Sequence, residues 1–323
     1  MKICTITCQN AVNHGARLQC YALVHWLQKQ GHVVEVIDYR PACSLDGKLW
    51  YWPGFSLKRW AKLFLYYPER KRNIERGKSF DAFSNNYLPL TKQVYHSIED
   101  LRKNPPLADL YIAGSDQIWN TTFPNGTDPA YYLDFGSVET RRESFAASFA
   151  TEQLKPGTEP FVKENLKRFD KITVREQSAL KILESLGIEG TLQEDPVFLL
   201  SASEWDEIAD GTGFGEKYVL VYDFYLGDDI KKEAQRIAKE KGLKIFSICR
   251  TNLAYADKNF VYAGPETFVS LVKHASCVVS NSFHGTAFAM IYGVPFKVLD
   301  RPDGLNLRMH DLLARKMEMC KFV

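Results

Sequence analysis

The sequence predicts an α/β protein of two doubly wound domains that face each other across a cleft. Three observations carry that expectation. Short apolar runs with strand composition alternate with helix-like stretches along most of the chain. The alternation comes in two series, parted by "SASEWDEIADGTGFGEK", whose glycines and acids read as a linker. The length, 323 residues, exceeds what one common-sized domain needs and suffices for two cores. The expected division puts residues 1–200 in the first domain and 201–323 in the second.

In the first series, "KICTITC" is an apolar strand and "GARLQCYALVHWLQKQG" a helix with Leu18, Ala22 and Trp26 on one stripe and Gly31 as its stop signal. "HVVEVIDY" returns to strand, which completes a βαβ unit and implies a parallel sheet. From Pro41 to about Pro89 the periodicity dissolves into a basic and aromatic excursion. "ADLYIAGSDQIWN" then reads as a strand running into polar residues, "RESFAASFA" as a buried strand, "EPFVKENLKRF" as a helix and "DKITVRE" as a strand. "QSALKILESLG" is a helix closed by Gly187, and "EDPVFLL" a short extended piece. In the second series "YVLVYDF", "KIFSIC", "CVVSN" and "PFKVLD" are strands. "DDIKKEAQRIAKEKG", "PETFVSLVKHA" with Pro265 at its start, and "TAFAMIYG" are helices.

Composition narrows the function classes. Hydrophobic residues at 45% and charged residues at 25% describe a soluble globular protein. The balance of 41 Lys and Arg against 39 Asp and Glu gives no bulk attraction to nucleic acid. The opening residues lack the apolar core of a signal peptide, and no run reaches the roughly 18 apolar residues of a spanning helix, so a cytoplasmic protein is expected. The seven cysteines include no C-x-x-C pair and read as buried, reduced thiols. Without a secretion signal the sequons at Asn120 and Asn125 carry no weight. The histidines are scattered, and no Walker lysine loop or G-x-G-x-x-G occurs. Metal, NAD and P-loop nucleotide chemistry are therefore not expected.

In doubly wound sheets ligands bind outside the carboxyl ends of the strands, so the polar residues that follow each apolar run are the candidates for chemistry. In "CVVSNSFHGTAFAMIYG", His284 stands where a strand gives way to the first turn of a helix, whose unsatisfied N–H groups and dipole favour an anion. Ser282 is a candidate N-cap, Gly285 removes a side chain where a ligand would approach the backbone, and an imidazole there can move a proton near neutral pH. A capped turn with a space-filling histidine is the alternative. In "NAVNHGARLQCYAL", Asn10, Asn13, His14, Gly15 and Arg17 lie beside a strand end and a helix start, with Arg17 suited to a carboxylate or phosphate. The same string is also good turn chemistry.

"AGSDQIWN" crowds Ser115, Asp116, Gln117 and Trp119 onto one strand end, the groups with which proteins hold sugar hydroxyls and cover a sugar's apolar face. A loop whose Trp119 closes the core edge is the alternative. Arg175 ends the apolar "ITV" and is expected to point into the cleft, with an interdomain ion pair as its alternative. Asp195 in "EDPVF" shares that ambiguity. Residues 58–78 alternate Lys58, Arg59 and Lys62 with aromatic residues and then turn strongly basic. Such a stretch suits peripheral contact with an anionic membrane surface, or else a solvated helix.

Taken together, "NAVNHGARLQCYAL", "AGSDQIWN", "ITVREQSALKILESLG", "EDPVFLL" and "VVSNSFHGTAFAMIYGVPF" occur in the order seen in the polysaccharide pyruvyl transferase family, which this chain resembles over nearly its whole length. The resemblance implies two Rossmann-like domains arranged as in the B-type glycosyltransferases, the N-terminal one on the acceptor side and the C-terminal one on the donor side. It implies transfer of a pyruvyl group from phosphoenolpyruvate, as a ketal, to sugar hydroxyls of a surface polysaccharide or its lipid-linked precursor, and membrane contact through residues 58–78 would put such an enzyme at the inner face of the membrane. By the same resemblance His284 is the candidate general acid and Asp116 the candidate for orienting or deprotonating the acceptor hydroxyl, with no metal and no cofactor beyond the donor. Donor contacts are expected from Ser282, Gly285, Thr286, Arg17, Arg175, Arg301 and Arg308, and acceptor contacts from Asn10, Asn13, Gln117 and Trp119.

One departure matters. Many family members carry an arginine two residues before the His–Gly pair, where this chain has Ser282, and the four arginines just named are the candidates to replace it. Two other readings stay open. One is a B-type glycosyltransferase using a nucleotide sugar, against which stands the lack of any Asp or Glu between His284 and Asp300. The other is a non-catalytic member of a polysaccharide assembly complex, which the Arg-to-Ser departure favours.

Overall fold

The structure, a computed structural model, describes residues 1–41, 67–211, 214–301 and 306–316. The chain divides into two compact units, Met1–Pro196 and Val197–Val323. In the first unit, β1 (Lys2–Ile6), β2 (Val33–Tyr39), β3 (Leu90–Tyr95), β4 (Leu110–Ala113) and β5 (Arg141–Ser144) form one sheet of order β3-β2-β1-β4-β5. Every pairing in it is parallel. β1 pairs with β2 on one side and β4 on the other, which makes the gap between β1 and β4 the switch point where a doubly wound sheet opens a crevice. β6 (Thr173–Val174) and β7 (Thr191–Leu192) form a small parallel pair beside β5, joined to it by single bridges.

β4 is buried along its whole length and β1 from Ile3 on, as expected of parallel strands covered on both faces. The His14–Lys29 helix is wider in its burial than one stripe, since everything from His14 to Val24 is buried, while Trp26 is only half-buried. The stretch that looks aperiodic in sequence holds a helix, Tyr67–Tyr87, and then β3. Phe80, Phe83, Arg76 and Ser84 anchor that helix, and two phenylalanines among so many charges leave too thin a stripe to be seen as a period. "RESFAASFA" is a strand only over Arg141–Ser144. Phe145–Ala150 continues as irregular chain, buried from Ala146 on, with left-handed φ at Ala146 (48°) and Ala150 (57°). "EDPVFLL" is a 3-10 turn over Pro196–Leu199 rather than an extended piece.

The second unit repeats the topology. β8 (Tyr218–Tyr222), β9 (Lys244–Ser247), β10 (Lys258–Asn259), β11 (Cys277–Ser280) and β12 (Phe296–Val298) pair in parallel in the order β10-β9-β8-β11-β12, with the switch point between β8 and β11. β8 and β11 are buried throughout. Part of the string read as a linker is structural here. Ser201 and Glu204 close a capping box on the Ala202–Asp206 helix, and its Trp205 is buried against Phe288 and donates from Nε1 to the Val197 carbonyl at 3.1 Å.

Burial pushes the thiols of Cys4 and Cys20 up to about 12 and that of Cys277 up to about 11, so they are protonated, unreactive fillers at neutral pH. Cys43 and Cys320 lie outside the described residues. Among the described residues no helix is long and apolar enough to cross a membrane.

Candidate functional site

At the second unit's switch point the strands end level, because Ser280 is in register with Tyr222 on β8 and Val298 on β12. Side chains then fix the turn that follows. Ser280 Oγ donates to the Tyr222 carbonyl at 2.7 Å and accepts the Ser282 N–H at 2.9 Å. Asn281 Nδ2 donates to the Asp223 carboxylate at 2.7 Å, and Asn281 Oδ1 accepts the Phe224 N–H at 3.2 Å. Ser282 is the expected N-cap of the Phe283–Ile291 helix, its Oγ accepting from the Gly285 N–H. His284 thus sits in the first helical turn, 7% exposed, its ring edge-on to Phe283 at 5.2 Å.

Two helices start at this edge, and they differ electrostatically. The Asp228–Lys241 helix has Asp228 and Asp229 in its first turn, and an Asp223 oxygen accepts the Gly227 N–H at its cap at 2.9 Å. Its dipole is already met by carboxylates. The Phe283–Ile291 helix has no acid in its first turn. Of the two, the helix that carries His284 is the one left to take an anion. Asp223, buried and holding both the Asn281 side chain and the Tyr225 N–H at 2.8 Å, is a residue the sequence reading passed over. Its signal was an acid at the carboxyl end of "YVLVYDF".

Some donor-side expectations change. Gly285 is required by the fold rather than by a ligand, since a Cβ there would lie 2.7 Å from Ser280 Oγ and 3.0 Å from Tyr222 Cδ1. Thr286 is buried and its hydroxyl donates back to the Ser282 carbonyl at 3.1 Å. Arg301 follows β12, with its guanidinium over the Tyr225 ring and Nη2 donating to the Tyr225 hydroxyl. Arg308 is buried on the Leu307–Arg315 helix.

At the first unit's switch point Thr7, Gln19 and Ser115 stitch the ends of β1 and β4 together. Thr7 Oγ1 donates to the Ser115 carbonyl at 2.7 Å, Gln19 Nε2 donates to Thr7 Oγ1 at 3.0 Å, and the Ser115 N–H donates to Gln19 Oε1 at 3.1 Å. Asp116 follows with a left-handed φ of 74° and a side chain 17% exposed. Arg175 Nη2 is 3.7 Å from the Asp116 carboxylate, Arg175 Nε is 4.0 Å from Glu176, and Arg175 Nη1 pairs with Asp195. Glu176 in turn accepts from Ser148 Oγ at 2.9 Å and from the Phe149 and Ala150 N–H groups at 3.0 Å, which fixes the loop after β5. Within this network Asp116 is the carboxylate that reaches the surface, since the Glu176 and Asp195 side chains are buried.

Three expectations are corrected at this edge. Arg175, expected to face a donor, is 1% exposed and engaged by carboxylates of its own unit, so the ion pair foreseen for it is intradomain. Arg17 is buried, bonded to Ser84 and 3.5 Å from Asp81, and pins the Tyr67–Tyr87 helix to its own. Trp119, expected to stack on a sugar, is 0% exposed. Its Nε1 donates to the Tyr131 carbonyl at 3.1 Å, and Tyr132, Phe149 and Phe169 surround its ring. Of the other acceptor candidates, Asn13 Oδ1 caps the His14–Lys29 helix, Asn10 Nδ2 donates to the Tyr39 carbonyl at 2.7 Å, and Gln117 Oε1 accepts from Asn120 at 3.2 Å. All three remain half-buried at the strand ends.

The Trp119 placement has a measurable consequence. Trp119→Ala is expected to lower the unfolding free energy by about 3–5 kcal/mol in urea denaturation, as truncation of a core aromatic does. Trp119→Phe is expected to leave the KM for acceptor within about two-fold, whereas a sugar-stacking indole would raise it further.

A family model described as polysaccharide pyruvyl transferase matches residues 13–303. A search of curated proteins finds no match. Among solved structures, the UDP-GlcNAc 2-epimerase from Methanocaldococcus jannaschii is similar over 98% of this chain and 94% of its own, at 11% identity and a TM-score of 0.50. A glycosyltransferase from Streptomyces sp. SF2575 is similar over 97% of this chain and 86% of its own, at 15% identity and a TM-score of 0.43. At 11% identity the epimerase likeness is one of fold alone, and that fold is the B-type glycosyltransferase class with its Rossmann-like units. The family match takes in Asp116, Arg175, the second unit's switch point and the Ser282–His284 turn. On that match, which runs from the Asn13 cap past the end of β12, the chain belongs to the polysaccharide pyruvyl transferase family and is a transferase.

Proposed function

We propose that the chain moves a pyruvyl group from phosphoenolpyruvate to two hydroxyls of one sugar, forming a cyclic ketal. The observation that carries this reading is the start of the Phe283–Ile291 helix, free of acid in its first turn and carrying an imidazole there. A doubly anionic donor needs backbone N–H groups and a positive dipole, and its methylene carbon needs a proton. In this mechanism His284 protonates C3 of the enol phosphate, and the positive charge that develops at C2 is met by the first sugar hydroxyl. The C2–O bond to phosphate breaks and the second hydroxyl closes the ring. Two C–O bonds form at C2. One hydroxyl proton balances the proton delivered to C3, the other leaves with phosphate, and no oxidant is required.

The donor grip in this reading comes from the helix start with Arg301, and with Arg308 on the next helix, in place of the arginine that Ser282 replaces. Asp116 orients or deprotonates the acceptor hydroxyl, supported by its exposure at the carboxyl edge of β4 and by Arg175 behind it. In this reading the reaction needs no metal and no cofactor beyond the donor. The acceptor is a surface polysaccharide or its lipid-linked precursor, met at the cytoplasmic face of the membrane. Exposed Lys71 and Lys78 on the Tyr67–Tyr87 helix support contact with anionic lipid, and residues 58–66 of that basic stretch lie outside the described residues.

Calorimetric titration with phosphoenolpyruvate, with UDP and GDP as rivals, tests the donor. Saturable phosphoenolpyruvate binding, weakened by Arg301→Ala, is expected. Binding of a nucleotide with none of phosphoenolpyruvate would instead make the chain a glycosyltransferase.

A further inference from the structure

The carboxyl edge of the second unit holds a contact that the reaction above leaves without a role. Because Tyr222, Ser280 and Val298 are level, three residues further along each path stand Tyr225, Phe283 and Arg301. β8 and β12 lie on either side of β11, two strand spacings or about 10 Å apart. Arg301 crosses that interval, its guanidinium carbon 5.1 Å from the Tyr225 ring centroid and its Nη2 donating to the Tyr225 hydroxyl. In a sheet ordered β8-β11-β12, such a contact passes over the end of β11, where Ser282 caps the helix that carries His284.

Both ends of this bridge are fixed at the backbone. The Arg301 N–H donates to Asn306 Oδ1 at 2.7 Å, and Asn306 Nδ2 returns a bond to the Arg301 carbonyl at 3.2 Å. The Tyr225 N–H donates to the Asp223 carboxylate that also holds Asn281, the residue before the cap. One carboxylate therefore sets the Tyr225 loop and the His284 turn in a single frame. The Tyr225 side chain is nonetheless at the surface, 38% exposed, so core packing does not account for its place.

We propose that Tyr225 is a positioning residue of the donor site, holding the Arg301 guanidinium over the start of the His284 helix so that the two grip one anionic group of the donor together. The inference rests on the donor reading above. A guanidinium laid over an aromatic face keeps its charge and its planar fork, the geometry that matches a phosphate or carboxylate. Held in advance, it loses little rotamer freedom when the ligand arrives. Tyr225 touches no reacting atom, so its effect falls on donor affinity and leaves the chemical step alone.

The test is a double-mutant cycle read by calorimetry with phosphoenolpyruvate, using Tyr225→Leu and Arg301→Ala, with Tyr225→Phe as the conservative variant. Tyr225→Leu is expected to weaken binding about five- to ten-fold and raise the KM for phosphoenolpyruvate equally at unchanged kcat, and Tyr225→Phe about two- to four-fold. In the Arg301→Ala background Tyr225→Leu is expected to add less than about two-fold, because it acts through the residue already removed. Arg250→Ala, which removes the neighbouring contact of Arg250 over Phe224, is the control and leaves affinity within about two-fold. Equal losses from Tyr225→Leu in both backgrounds, or none in either, overturn the proposal while the donor reading stands. A wild-type protein that binds no phosphoenolpyruvate overturns both.

Discussion

Replacing His284 by alanine is expected to lower kcat for pyruvyl transfer by about 10²–10⁴-fold, the range for loss of a positioned general acid. Phosphoenolpyruvate binding is expected to persist, because the cap, the helix N–H groups and Arg301 are untouched. Alanine is the best helix former and keeps the Ser282 cap, so the unit is expected to stay folded. His284→Gln, which keeps a polar group but has no transferable proton, is expected to be as inactive. Near-UV circular dichroism alongside single-turnover assays separates lost chemistry from lost structure. A His284→Ala protein that supports full polysaccharide pyruvylation in cells lacking the wild-type chain would make the chain a non-catalytic component.

Arg175→Ala is expected to lower stability by about 3–5 kcal/mol in urea unfolding, because it removes the cation from beside a buried carboxylate. Burial by itself pushes the Arg175 guanidinium down, but Asp195, Asp116 and Glu176 outweigh it and hold it above its ordinary value. The wild-type cation is therefore charged at every pH where the protein folds. In the variant, Asp195, whose side chain is 0% exposed, keeps its burial and loses the Arg175 cation, which favours the neutral acid and raises its folded-state pKa relative to wild type, above the unfolded value. A carboxyl raised on folding binds more protons folded than unfolded, so the variant's stability falls as pH rises through that window. Arg175→Ala should be closer to wild type at pH 5 than at pH 8. A deficit that is the same at both pH values would mean that Asp195 finds another cation.

The alternation of apolar runs and helical stretches made the central strands of both sheets legible, because parallel strands buried on two faces have to be apolar, whereas the edge strands β3 and β10 carry no such run and were not. The Ser282 cap was legible for a similar reason, since a serine ahead of an apolar helical run has a local partner three residues on. Direction was not legible. Trp119 and Asp116 follow the same strand, yet the left-handed turn at Asp116 leaves its carboxylate at the surface and sends the indole into the core. Arg175 and Arg17 looked like ligand residues because each follows or flanks a strand end. Their partners, Asp195 and Ser84, lie 20 and 67 residues away, and no local pattern announces such a pairing. Tyr225 went unmarked because its role depends on Arg301, 76 residues on and two strands away.

The most direct test of pyruvyl transfer is to incubate the protein with phosphoenolpyruvate labelled in its pyruvyl carbons and a lipid-linked oligosaccharide fraction from its own cells, measuring label and phosphate together. Acid-labile label in the saccharide, matched one for one by released phosphate and absent with His284→Ala, is the expected result. Phosphate release without label in the saccharide, or label transferred only from a nucleotide sugar, would contradict it.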